Sequence, residues 1–113
     1  MRKKLSIFSS SLTWCGIVFA LVFIIYSGTL SNKFAFDDKS LVVENAFLTV
    51  TPPLSVIFSS NYRAGSGFTG DGLYRPLVIL SFILNTKKPL SPFPFHLFNV
   101  TLNALNAVFF FLL

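Results

Sequence analysis

Two adjacent carboxylates, Asp37 and Asp38, stand just past the end of a long apolar run, within the stretch FAFDDKSLVVEN from Phe34 to Asn45. A carboxylate on a loop beside a membrane can act as general base toward an alcohol or amide once it reaches the proton it must take. Two such groups side by side in a low-dielectric setting push one pKa upward, which suits acid–base work. The same pair also serves as a plain turn cap, so its chemistry depends on what is brought near it. Arg75 is the natural counterpart: its planar guanidinium can hold a phosphate through paired hydrogen bonds, or simply reach the headgroups with its stem in apolar surroundings. Metal chemistry has few ligands to draw on. His96 and Cys15 are single residues of their types and stand far apart, so no metal site is expected. His96 is expected as a satisfied interfacial histidine and Cys15 as an inert buried thiol.

The elements that must position these groups are helical. Residues 1–11 are short and basic, with Arg2, Lys3 and Lys4 ahead of the first apolar run. Residues 12–30, LTWCGIVFALVFIIYSGTL, carry no charge and form a helix roughly 28 Å long, close to the thickness of a bilayer core. Trp14 and Tyr26 stand near its two ends, where amphipathic rings favour the headgroup region. Basic residues ahead of an apolar run also open a cleaved signal peptide. Either way the N-terminus is placed in the cytoplasm and residues 31–94 outside. That loop holds two short juxtamembrane helices. The first covers 54–59, with Thr51 expected to cap it ahead of Pro52 and Pro53. The second covers 76–86, entered through Pro76 and about 15 Å long, too short to span. Between them, residues 63–72 hold four of the six glycines and read as a flexible loop with Asp71 in a solvated turn. Residues 95–113 form a second apolar helix, in which Asn99, Asn103 and Asn106 share a face that is best buried against further helices.

Composition agrees with a partly lipidic solvent. Hydrophobic residues make up 53% of 113 and charged residues 12%, and fifteen are phenylalanine. A water-soluble domain of this size could not hide so much apolar surface. The net charge of +5 is scattered, not gathered on one face with stacking aromatics, which argues against a nucleic-acid partner.

Three ordered blocks, FAFDDKSLVVEN, GLYRPLVILSFILN and PFPFHLFNVTLNALNAVFFFLL, resemble the start of the transmembrane and tetratricopeptide-repeat O-mannosyltransferases and their bacterial relatives, within the GT-C glycosyltransferase superfamily. The resemblance covers roughly residues 34–113. It implies a multi-span enzyme of the endoplasmic reticulum or bacterial plasma membrane, working on the outer or lumenal face. Such an enzyme moves mannose or a similar hexose from a polyprenyl-phosphate carrier to a protein or lipid acceptor. Asp37, or else Asp38, then matches the base that deprotonates the acceptor hydroxyl, and Arg75 in Arg75-Pro76-Leu77 matches an element suited to the carrier phosphate. Asn103 departs from the family, whose members often carry histidine there.

The fold class expected is therefore an all-α membrane protein: two transmembrane helices joined by an outside loop, an incomplete GT-C fold. Further transmembrane helices of a longer chain are the expected partners, alongside membrane lipid, and the 113 residues alone are expected to be inactive. The alternative is a small non-enzymatic two-span protein that associates with other membrane subunits through its asparagine face.

Overall fold

The computed structural model describes residues 2–67 and 73–113, with the backbone alone for residues 2–9. Every regular element among the described residues is helical: α1 (Arg2–Tyr26), α2 (Ala46–Thr49), α3 (Leu54–Ser59), α4 (Pro76–Asn85) and α5 (Phe93–Leu112). A 3₁₀ turn over Ser27–Ser31 and a π turn over Lys39–Val43 complete the order. The chain divides into two compact units, Met1–Asn32 with His96–Leu113, and Lys33–Phe95.

The first unit is made of two long apolar helices. The spans Ser10–Ser31, at mean hydropathy 1.9, and Phe93–Leu112, at 1.5, are both long and apolar enough to cross a membrane. The protein is an all-α membrane chain. No proline interrupts the sequence before the apolar run, and α1 accordingly extends back to Arg2, well ahead of residue 12. At its other end the hydroxyls of Ser27, Thr29 and Ser31 donate to the carbonyls of Ile24, Tyr26 and Gly28 at 2.7, 2.8 and 3.1 Å. These bonds occupy acceptors that a terminating helix would otherwise leave unpaired. The two helices run antiparallel: Ser11, Leu12 and Cys15 gather beside Leu112, while Tyr26, Thr29 and Asn32 gather beside His96, Asn99 and Asn103. Val100 and Ala104, four apart on one face of α5, are buried.

The second unit is built differently. Its core is Leu41, Val42, Leu48 and Phe95, with Phe34, Tyr62, Phe82 and Ile83 packed against it. Each large apolar side chain buried here contributes about 1.5–3 kcal/mol. Both α2 and α3 pack on α4, and Ile57 and Ile79 are buried from α3 and α4. So few apolar groups leave much of the ordering to polar bonds. Asn45, itself buried, accepts from the Phe47 amide at 2.8 Å as the N-cap of α2 and donates to the Ala64 carbonyl at 3.3 Å. The Ala46 amide joins the same turn at the Gly65 carbonyl, 2.8 Å away. One side chain thus starts a helix and fastens a loop nineteen residues later.

Two local expectations change. The Thr51 cap is absent: Pro53 is the N-cap of α3 without a side-chain bond, and its carbonyl accepts from Val56 and Ile57 at 3.0 and 3.2 Å. Thr51 stands two residues ahead of the cap position, too early to reach the free amides of the first turn. The glycine-rich loop begins in tight turns, with Gly65 at φ 82° and Gly67 at φ 73°. Its remainder, including the turn expected at Asp71, lies outside the described residues, as do the side chains of the basic cluster at residues 2–4.

Candidate functional site

The carboxylate pair sits on a strained turn. Phe36 has φ 44°, a left-handed conformation that costs a bulky residue about 1–2 kcal/mol. The turn is held by the Asp38 amide on the Ala35 carbonyl at 2.9 Å and by the Lys39 amide on the Phe36 carbonyl at 3.2 Å. Asp38 closes it, its Oδ2 accepting from the Ala35 amide at 2.9 Å. The two carboxylates therefore differ. Asp38 is half-buried and engaged in its own turn. Asp37 is exposed, and among the described residues its carboxylate accepts no hydrogen bond. Its backbone carbonyl takes the Leu41 amide and the Ser40 hydroxyl at 2.9 and 3.2 Å, which fixes its main chain and leaves its side chain open.

Arg75 is fixed by its neighbours in the chain. Pro76 is the first residue of α4, and the residue before a proline is held out of the helical region. The Arg75 carbonyl accepts from Val78 and Ile79 at 3.1 and 3.3 Å, so the side chain departs from a pinned helix start. Its guanidinium carbon lies 5.2 Å from the centroid of the Tyr62 ring, within cation–π range.

An aromatic chain connects the two groups. Tyr62 lies 6.4 Å from Phe82 between ring centroids, Phe82 lies 5.9 Å from Phe95, and Phe95 meets Phe34 edge-on at 5.6 Å. Phe34 is three residues ahead of Asp37. Packing of four rings thus draws the Asp37–Asp38 turn and the start of α4 toward one place. The charges register there: burial pushes the Tyr62 phenol above its ordinary value of 10.0, Arg75 opposes that, Asp37 and Asp38 add to it, and Arg63 opposes it. Arg75 lies over the Tyr62 ring, and both aspartates bear on its phenol through their charge.

Tyr62 was not among the residues singled out from sequence. It stands in Ser-Asn-Tyr-Arg with no apolar periodicity around it, and its ring partners, Arg75 and Phe82, come from thirteen and twenty residues further along the chain. Asn45 did carry a signal, since an asparagine directly ahead of the apolar Ala-Phe-Leu is a helix-start pattern.

His96 departs from expectation. Its Nε2 is buried without a hydrogen-bond partner among the described residues. With Asn99 and Asn103 it lines a cleft of about 420 Å³ in the first unit, closed on the other side by Tyr26, Thr29 and Asn32. Ligands for a cation are not gathered: among the described residues no three His, Cys, Asp or Glu side chains form a set.

With this geometry in place, three curated proteins are informative. Protein O-mannosyl-transferase Tmtc1 of Drosophila melanogaster is 34% identical over 89 residues, 74% of this chain and 10% of its own length. Protein O-mannosyl-transferase TMTC2 of Homo sapiens is 38% identical over 89 residues, 75% of this chain and 10% of its own. TMTC3 of Mus musculus, also named a protein O-mannosyl-transferase, is 31% identical over 97 residues, 83% and 10%. This chain resembles the protein O-mannosyl-transferases. It spans about a tenth of the length of these relatives. No protein-family model and no solved structure matches it. The resemblance to protein O-mannosyl-transferases and the two apolar helices together make this the chain of an integral membrane protein.

Proposed function

We propose that the chain forms part of a membrane glycosyltransferase that moves mannose or a similar hexose from a polyprenyl-phosphate carrier to a protein or lipid hydroxyl. The observation that carries this reading is the chain of ring contacts from Phe34 to Tyr62, which links the Asp37–Asp38 turn to the Arg75 guanidinium over the Tyr62 ring. An open carboxylate and a guanidinium in one unit suit such a transfer, and the likeness to protein O-mannosyl-transferases supports its chemical class.

In the proposed step the acceptor oxygen bonds to the anomeric carbon as the bond from that carbon to the carrier phosphate oxygen breaks. The acceptor proton passes to a carboxylate, and the phosphate leaves with the bonding pair. Asp37 is the better candidate for the base, because its carboxylate is open while that of Asp38 is engaged with the Ala35 amide. Arg75 meets the charge that grows on the phosphate oxygens, where a guanidinium offers paired donors. The lumenal or periplasmic placement of residues 31–94, with a cytoplasmic N-terminus, belongs to the same reading, as does the completion of the site by further helices. The exposed amides of Asn99, Asn103 and Asn106 on α5 favour such helices as neighbours, whether in a longer chain or in a separate subunit.

The test is Asp37→Asn and Asp38→Asn in the full-length membrane protein, assayed for mannose transfer from a polyprenyl-phosphate donor. Loss in Asp37→Asn with retained donor binding is the expected result. Unchanged transfer in both single variants and in the double variant overturns the assignment.

A further inference from the structure

The Tyr62 ring has the geometry of a support for Arg75. Its backbone is tied down, with the amide donating to the Leu73 carbonyl at 2.6 Å, two residues before the arginine. Its ring is half-buried and backed by Phe82, itself half-buried and packed against the core. The guanidinium lies over the ring face at 5.2 Å. Arg75 itself is exposed, and an exposed arginine of this length surrenders considerable rotamer freedom when it must hold one position. Two carboxylates stand close enough to act on the same ring, yet among the described residues neither forms an ion pair with Arg75.

We infer that Tyr62 is a positioning residue whose ring face holds the Arg75 guanidinium ready for the carrier phosphate. The inference rests on the reading of Arg75 as the phosphate-holding group. It assigns the work to the aromatic face and not to the hydroxyl. A phenol is neutral at physiological pH, so the ring adds no charge that would compete with the phosphate for Arg75.

The experiment is steady-state transfer in the full-length protein with a polyprenyl-phosphate mannose donor, comparing Tyr62→Leu, Tyr62→Phe, Arg75→Gln and the pair Tyr62→Leu with Arg75→Gln. Tyr62→Leu is expected to raise donor KM about tenfold with a smaller change in kcat, the size expected for a lost cation–π contact and lost preorganisation. Tyr62→Phe is expected to restore most of that loss, since the ring face is kept. In the double variant the two effects are expected not to add, because removing the guanidinium leaves the ring nothing to hold.

A Tyr62→Leu protein that reaches the membrane with unchanged donor KM, while Arg75→Gln raises it, overturns the role of Tyr62 and leaves the phosphate reading standing. Tyr62→Phe as damaging as Tyr62→Leu overturns it too, because the hydroxyl would then carry the effect. If Arg75→Gln leaves donor KM unchanged, the phosphate reading falls and the Tyr62 role with it. Should Tyr62→Leu fail to accumulate, Tyr62→Phe and Tyr62→Trp serve instead. Two ring-bearing variants that keep donor KM near the parent value uphold the proposal, and a large rise in both overturns it.

Discussion

The two units of this chain are stabilised by opposite means. In the first, Met1–Asn32 with His96–Leu113, long runs of apolar residues make helices whose side chains face outward over most of their length. In the second, Lys33–Phe95, a handful of buried side chains is supplemented by specific polar and aromatic contacts: Asn45 on Ala64, Asp38 on Ala35, Arg75 on Tyr62. A unit of the first kind depends on average properties and tolerates local change. A unit of the second kind depends on particular atoms, and the open carboxylate and the pinned arginine both lie there.

The sharpest separation comes from activity. In the full-length protein Asp37→Asn is expected to lower transfer by about 10²–10⁴-fold, the range for loss of a general base. Asp38→Asn is expected to act partly through the turn it closes, so its effect should appear in the stability of residues 33–40 as well as in kcat.

The glycines test the contrast in stability. Gly65 has φ 82°, and a Cβ there would meet the Asn45 amide oxygen, with the Phe47 ring at 2.8 Å. Gly65→Ala is expected to cost about 2–3 kcal/mol, through a disfavoured backbone conformation and displacement of the Asn45 clamp. Hydrogen exchange of the Ala46 and Phe47 amides reads this directly. Gly16 in α1 has open space where a Cβ would stand. There alanine is expected to be neutral or stabilising by up to about 1 kcal/mol, since a helical glycine carries only its own entropic cost. Equal destabilisation at both positions would erase the distinction between the units.

Smaller effects sharpen it within the second unit. The Tyr62 phenol has its folded pKa raised above 10.0, first by burial and then by Asp37 and Asp38. Its contribution to stability is therefore fully present below pH 10 and is lost as pH rises through the raised value. In the tyrosine ultraviolet titration, Asp37→Asn is expected to move that transition down and Arg75→Gln to move it up. The least consequence is expected at Lys39 and Glu44, whose Nζ and Oε1 lie 3.6 Å apart on the surface with both side chains largely exposed. Lys39→Ala is expected to change stability by no more than about 0.5 kcal/mol, because solvent screens the pair.

Much of this was legible in order along the chain. Helices at 54–59 and 76–86 follow from proline-marked starts and short apolar runs, and the structure has them at Leu54–Ser59 and Pro76–Asn85. The cap of the first differs from expectation, because Thr51 has the right chemistry two residues too early. The π turn over Lys39–Val43 and the single-turn α2 carried no periodic signal, being too short for one. Asp37, Asp38 and Arg75 could be named from residue type and spacing, but nothing in the sequence distinguished the two aspartates.

What the sequence determined by itself is the set of properties that add up locally: two helices of membrane-crossing length and apolarity, the interruptions between them, and the supply of carboxylates and guanidinium. Hydropathy and backbone sterics act over neighbouring residues, so they can be read in a line. Tertiary structure alone decided that Asp38 closes a turn while Asp37 stays open, that His96 buries a nitrogen with no partner among the described residues, and that rings from residues 34, 62, 82 and 95 pack in a chain. These outcomes depend on pairs far apart in the chain, where one side chain's environment is supplied by residues whose positions it does not set.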